Sequence, residues 1–181
     1  MKKIYIIGAG TLGRFIADII ESLESFQVGG FFDDNYPKKD KALNYPIIGK
    51  INDIKPQKIN LAVGVGDPNF RKLIIEKEIL KGNFFPSIVH SSTVISKYSK
   101  IEEGVILGPN SSVLNGSVIK RGACLLSHVN VNQDIVIGSF SLVGAGVVIG
   151  NNVVLGDGVH LGLGVKIKLN QKVPSWSYIK E

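Results

Sequence analysis

IGSFSLVGAGVVIGNNVVLGDGVHLGLGVKI, residues 137–167, places Ile137, Val143, Ile149, Leu155, Leu161 and Ile167 six residues apart. Followed backwards, the same phase gives Val131, Leu125, Ile119, Val113, Leu107, Ile101, Ile95 and Val89 without a break. Six is the period of neither an α-helix nor a simple strand. It is the period of a parallel β-helix, in which each short strand is followed by a corner. Four residues after each aliphatic comes a small or β-branched residue, from Thr93 and Ser99 through Ser117 and Ala123 to Val165. Side chains two apart on a strand share a face, so this position and the next aliphatic both point inward and stack into columns. Glycines at 108, 138, 144, 150, 156 and 162 directly follow the aliphatic and are expected to supply the corner dihedrals. Three hexads make a coil of 18 residues, and the end coils of such a stack need caps.

Residues 1–85 have a different rhythm. Apolar Lys3–Ile7 reads as a strand, and Thr11–Leu23 as a helix with Leu12, Phe15, Ile16, Ile19 and Ile20 on one side. Gln27–Phe32 and Ile59–Val63 read as strands, and residues 35–46, with Pro37 and Pro46, as a surface loop. Asp67 or Asn69 can cap a last helix running to about Leu80. Strands alternating with helices imply an open parallel sheet. The expected organisation is a Rossmann-like α/β domain over 1–85, an all-β parallel β-helix over 86–169, and a C-terminal cap segment over 170–181.

The first strand runs into Gly8-Ala9-Gly10-Thr11-Leu12-Gly13, a G-x-G-x-x-G turn that opens a helix, with Asp33 about 20 residues on. In that setting loop amides and a helix N-terminus can hold a phosphate, and a carboxylate can accept ribose hydroxyls. The alternative is a tight strand-helix turn without a ligand. About 85 residues leave no room for the second half of a dinucleotide site, so one nucleotide fits better than two.

The chain is 44% hydrophobic and 20% charged over 181 residues, a composition that supports one large or two small packed domains. No apolar run approaches the ~18–20 residues of a membrane span, which argues against membrane insertion. The glycines after Ile7 argue against a signal peptide, and the single cysteine, Cys124, excludes an internal disulfide and suits the cytoplasm. The formal charge is +6, but the lysines are scattered rather than striped between aromatics, so nucleic acid is not expected as a partner.

Taken together, IYIIGAGTLG (4–13), FFDDN (31–35), VGVGDPNFRKLI (63–74), PSIVHSSTVIS (86–96) and the glycine-rich hexads of 137–164 resemble the bacterial hexapeptide-repeat sugar acetyltransferases of the sialic acid O-acetyltransferase and bacillosamine N-acetyltransferase type. The resemblance implies a left-handed solenoid, a homotrimer with active sites in clefts between prisms, and acetyl-CoA as co-substrate lying along the solenoid, with no metal. It implies a nucleotide-sugar held by the N-terminal domain, at Gly8, Gly10, Thr11, Leu12, Gly13, Asp33, Asp34, Gly64 and Gly66. It also implies acetylation of a sugar amine or hydroxyl in surface-glycan biosynthesis, with a histidine as base.

The sequence departs from that pattern where the base is expected. The family's His and following acid read Gln133-Asp134 here, and a second family histidine that touches CoA reads Leu142. Glutamine cannot take a proton near neutral pH. Of the three histidines, His90 matches a structural position. His128, at a corner one hexad before Gln133, is the candidate base. His160 lies 18 residues after Leu142, so it stacks over it at about the 4.8 Å spacing of neighbouring strands. Asp134 is the acidic candidate, useful for acid-base work only with a raised pKa. Gln133, Leu142, Gly144, His160 and Gly162 are the candidates for CoA. Three readings follow: an acetyltransferase using His128, a degenerate or regulatory nucleotide-sugar-binding trimer that lost its base, and an NAD-linked module with the solenoid as scaffold.

Overall fold

A computed structural model describes residues 1–180. The chain forms two compact units, residues 1–66 with 70–86, and residues 67–69 with 87 onward.

In the first unit, β1 (Lys2–Ile7), α1 (Thr11–Glu21), β2 (Phe26–Phe32), β3 (Lys41–Ala42), β4 (Tyr45–Gly49), β5 (Asn60–Val63) and α2 (Pro68–Leu80) follow in order. The sheet order is β3-β4-β2-β1-β5. Strands β4, β2, β1 and β5 are parallel, and only the β3–β4 hairpin is antiparallel. Central β1 buries Ile4, Ile6 and Ile7 completely, as a strand covered on both faces must. Helix α1 buries Ile16, Ala17, Ile19 and Ile20, the stripe that its periodicity forecast. Helix α2 starts at Pro68, whose missing amide hydrogen costs nothing in a first helical turn.

Residues 35–46 were expected to be loop, and this needs correction. The segment ends in the β3–β4 hairpin, and β4 extends the parallel sheet by pairing Phe31 with Ile47. Pro46 and Gly49 obscured the strand, yet Pro46 lies on an edge pair with Lys41, where a missing donor is tolerated.

The second unit is a three-sided prism of two-residue strands. Its first face stacks Ile88–Val89, Ile106–Leu107, Cys124–Leu125, Leu142–Val143, His160–Leu161 and Tyr178–Ile179. The second face runs from Val94–Ile95 to Lys166–Ile167, and the third from Lys100–Ile101 to Lys172–Val173. Every strand pairs in parallel with the one 18 residues on, as in Leu142 with His160. The inward columns are sealed; Leu107, Leu125, Val143 and Leu161 are fully buried on the first face alone. Ser111, Ser117 and Ser141 are buried among them at no polar cost. Each hydroxyl donates to a carbonyl 15 residues on and accepts the amide 18 residues on, as Ser117 does with Asn132 and Ile135 at 2.8 and 3.1 Å.

Two sequence expectations are overturned here. Positive φ recurs every six residues, at 104, 110, 116, 122, 128, 134, 140, 146, 152, 158, 164, 170 and 176, three residues after each aliphatic. The glycines directly after the aliphatics, such as Gly144 and Gly162, therefore do not supply the left-handed corners. They are glycine because a β-carbon at Gly144 would stand 2.6 Å from Gly162 of the next coil, and one at Gly162 2.6 Å from the Lys180 carbonyl. Second, residues 170–180 are coil rather than a separate cap. Val173 and Ile179 continue the hexad phase and pack against the core. Glu181, the last residue of that expected segment, lies outside the described residues.

Candidate functional site

In an open parallel sheet the ligand crevice lies at the carboxyl ends of the strands, where the strand order reverses. Strand β1 has β2 on one side and β5 on the other, so the reversal falls between β1 and β5. The loops that leave there are Gly8–Gly13 and Gly64–Gly66. Asp33 and Asp34 follow β2 at the same end of the sheet.

The glycines divide by role. Gly8 has φ +95, and a β-carbon on it would lie 3.0 Å from the Gly64 carbonyl oxygen. One on Gly64 would lie 2.5 Å from the Gly13 Cα, and one on Gly13 would collide with the Gly8 carbonyl. Gly8, Gly13 and Gly64 are thus a packing knot that lets β1, α1 and β5 meet. Gly10, unlike those three, faces open space, with nothing within 4 Å of its β position. Gly10 is also the N-cap of α1, makes no side-chain cap bond, and no acid stands in the first turn. With Thr11 exposed and Leu12 half-buried, the start of α1 presents amides and a positive dipole end suited to an anion.

Asp33 does not point away to await a ribose. Its Oδ2 accepts the Ala9 amide at 2.7 Å, and its Oδ1 accepts the Asn35 backbone and side-chain amides at 2.9 Å. Lys39 Nζ donates to the Ala9 carbonyl at 3.0 Å. Partial burial raises the Asp33 pKa, but the bonds from Ala9 and Asn35 and the Lys39 charge outweigh it and hold the carboxyl below its usual range. Asp33 therefore braces the glycine loop. Asp34 accepts the Ile51 amide at 3.0 Å at the start of a short 3₁₀ turn. Beside it opens a cleft of about 340 Å³ walled by Asp34, Ile51, Asn52, Phe70, Leu73 and Lys77 among others, large enough for a small ligand.

On the solenoid the candidates fall into two groups. His128 is the left-handed corner residue between the first and second faces, φ +58, exposed, with its amide donating to Pro109. Gly144 and Gly162 lie along that edge one and two coils on, and Leu142 and His160 are neighbours on the adjoining first face. The His160 ring stacks on Tyr178, centroids 4.4 Å apart and planes 20° apart. These five residues share one edge and its adjoining face, with His128 two coils from His160. Gln133 and Asp134 do not join them. They sit on the next edge, between the second and third faces, where Asp134 (φ +57) reaches over Gly116. Within one chain Asp134 is not the acid behind His128. His90 accepts the Ser92 amide on Nδ1 at 3.1 Å, a local turn contact. Among the described residues, no group of three or more His, Cys, Asp or Glu could hold a metal ion.

Sequence reading missed the Lys39 contact, the Tyr178 platform and Arg71. The first two join residues far apart in sequence.

An open parallel α/β sheet followed by a hexapeptide solenoid is the order of units that the motifs led us to expect. Residues 3–78 match the PglD N-terminal domain family, in line with the motifs at 4–13, 31–35 and 63–74. The chain is 23% identical over 112 residues to the UDP-N-acetylbacillosamine N-acetyltransferase of Bacillus subtilis (strain 168); this match takes in 59% of the present chain and spans about half, 51%, of that relative's length. In fold it is similar to the acetyltransferase domain of PglB from Neisseria gonorrhoeae FA1090, with TM-score 0.81 and 24% identity over 98% of this chain and 96% of that one. It is similar too to PerB from Caulobacter crescentus, solved with CoA and GDP-perosamine, with TM-score 0.68 and 21% identity over 99% and 89% of the two chains. These likenesses identify the second unit as a left-handed parallel β-helix of the hexapeptide type.

Proposed function

We propose that this protein transfers an acetyl group from acetyl-CoA to an amine or hydroxyl of a nucleotide-linked sugar, in the cytoplasmic stage of bacterial surface-glycan synthesis. The observation that supports the reading is the exposed His128 on the edge beside the face that carries Leu142, His160 and Tyr178. His128 takes a proton from the acceptor as its nitrogen or oxygen attacks the thioester carbonyl. The carbon–sulfur bond breaks and CoA leaves as the thiol. The glycine loop and α1 N-terminus take the diphosphate, and the cleft beside Asp34 is sized for the base or sugar. CoA lies along the first face, where the His160–Tyr178 stack offers it an aromatic surface.

The protein works as a homotrimer in this reading. The outward column Val118, Val136 and Val154 on the third face supports association, since Val154 keeps 38% of its surface exposed in the single chain.

The test follows acetyl-CoA consumption as free thiol, with UDP-, dTDP- and GDP-linked amino sugars, on wild type and His128→Ala. Turnover lost in the variant, with CoA still bound, supports the reading. Turnover that survives moves the base to His160 or the substrate. The second reading, a regulatory trimer without a base, is favoured by Gln133 at the family's histidine position. It predicts tight binding of both ligands and no thiol release.

A further inference from the structure

Arg71 stands in the first turns of α2 with only 1% of its surface exposed. Among the described residues it makes no ion pair. A terminal nitrogen donates to the Val65 carbonyl oxygen at 2.7 Å, while its buried Nε has no hydrogen-bond partner. The buried acid of the same helix, Glu78, is engaged by Lys81 at 2.8 Å and Asn83 at 3.0 Å. Taking a guanidinium out of water with no counter-charge is strongly unfavourable. An apolar side chain of like volume would fill this place without that cost, so packing does not account for arginine here.

Its position does. The Val65 side chain would be 3.2 Å from a β-carbon on Gly8, so it lies directly on the glycine loop. Val65 alone links the guanidinium to Gly8, its carbonyl bonded to the one and its side chain against the other. Beyond it is the start of α1, with no side-chain cap and no acid in its first turn. The Asp33 carboxylate on Ala9 places negative charge at the same loop, and only Lys39 answers it in the contacts described above. Arginine keeps its charge when buried, so the charge behind the loop is a fixed one.

We infer that Arg71 is a positioning residue that presses Gly64-Val65-Gly66 onto Gly8 and sets a fixed positive charge behind the glycine loop, so that the loop selects a diphosphate over the neutral nucleoside. This rests on the nucleotide-sugar reading of the first unit. The charge is buried and so is poorly screened by salt.

Titration calorimetry on the full chain tests it, with uridine and UDP, thymidine and dTDP, and guanosine and GDP. Arg71→Gln can keep the donor to Val65 but removes the charge; Arg71→Lys keeps the charge but loses the fork. For the base that binds, Arg71→Gln is expected to weaken the diphosphate about tenfold or more and to leave the nucleoside within about twofold. Arg71→Lys is expected to retain most of the diphosphate preference. Equal weakening of nucleoside and diphosphate in Arg71→Gln would mark a merely structural arginine and overturn the inference, as would an unchanged ratio. If Arg71→Gln does not fold, loss of the preference in folded Arg71→Lys overturns it equally. Failure of every diphosphate to bind wild type would instead sink the nucleotide-sugar reading, and this inference with it.

Discussion

The ring of Trp176 occupies the place where a β-carbon on Gly158 would be, one coil below it on the same corner column. Both residues have positive φ, +64 and +62. Gly158→Ala would meet a left-handed backbone and an occupied site at once. It should destabilise the protein by about 2–3 kcal/mol. Trp176 is the only tryptophan. Urea unfolding followed by its fluorescence measures the loss, and a red-shifted native emission is expected as the indole is displaced.

His128 holds a left-handed corner that glycine occupies in the next two coils, at 146 and 164. His128→Gly should therefore stabilise the fold, by about 1 kcal/mol, while ending turnover if His128 is the base. Thermal unfolding and thiol release on the same preparation read both effects. A variant that is less stable and still active would contradict both the corner argument and the assignment.

The glycine loop allows a cleaner separation. Gly10→Ala puts a methyl group into open space at φ −79, so stability should change by less than about 0.5 kcal/mol. If the loop cradles a phosphate, the same methyl intrudes on the ligand, and KM for the nucleotide-sugar should rise about tenfold with kcat little changed. Gly13→Ala drives a methyl into the Gly8 carbonyl and should cost about 3 kcal/mol or more. Parallel melting curves and kinetics distinguish the two.

Asp33 gives a pH signature with a definite sign. Its native carboxyl titrates below the usual value of 3.8, so its contribution is complete above that value and is lost as pH falls through the native one. Wild type should lose stability on acidification in that window more steeply than Asp33→Asn. The Ala9 amide should exchange its hydrogen faster in the variant. Melting temperatures between about pH 6 and 3 test the difference.

The solenoid was legible because its signal is repeated: each hexad votes for the same phase, and Val173 and Ile179 extend it. The end went unread because Pro174, Trp176 and the lysines around them look like a terminus, although only their outward positions differ. The location of left-handed corners was misread because glycine has two uses. Beside the aliphatic it makes room for the next coil, and three residues on it relieves backbone strain that His128, Asp134 and Phe140 show to be tolerable. In the first unit, strands and helices followed from apolar period, but the β3–β4 hairpin is held by pairing partners that no local pattern displays. The site was half legible. Gly10 and Asp33 stand at the loop as the motif implied, yet what Asp33 binds, and that Arg71 lies behind Val65, are facts of three-dimensional proximity.

The spacing of the corners makes the solenoid a ruler with three marks per turn. Excising 18 residues, for instance 140–157, would leave every later strand on its own face and bring His160 over Cys124. Excising six would rotate all that follows by a third of a turn, sending His160 to the third face and away from the edge of His128. Shortened chains of the first kind should keep a cooperative melt and, if the first face binds CoA, that binding. Those of the second kind should keep the melt and lose the binding. Along this molecule the distance between functional groups is set by whole turns, and their direction by the remainder.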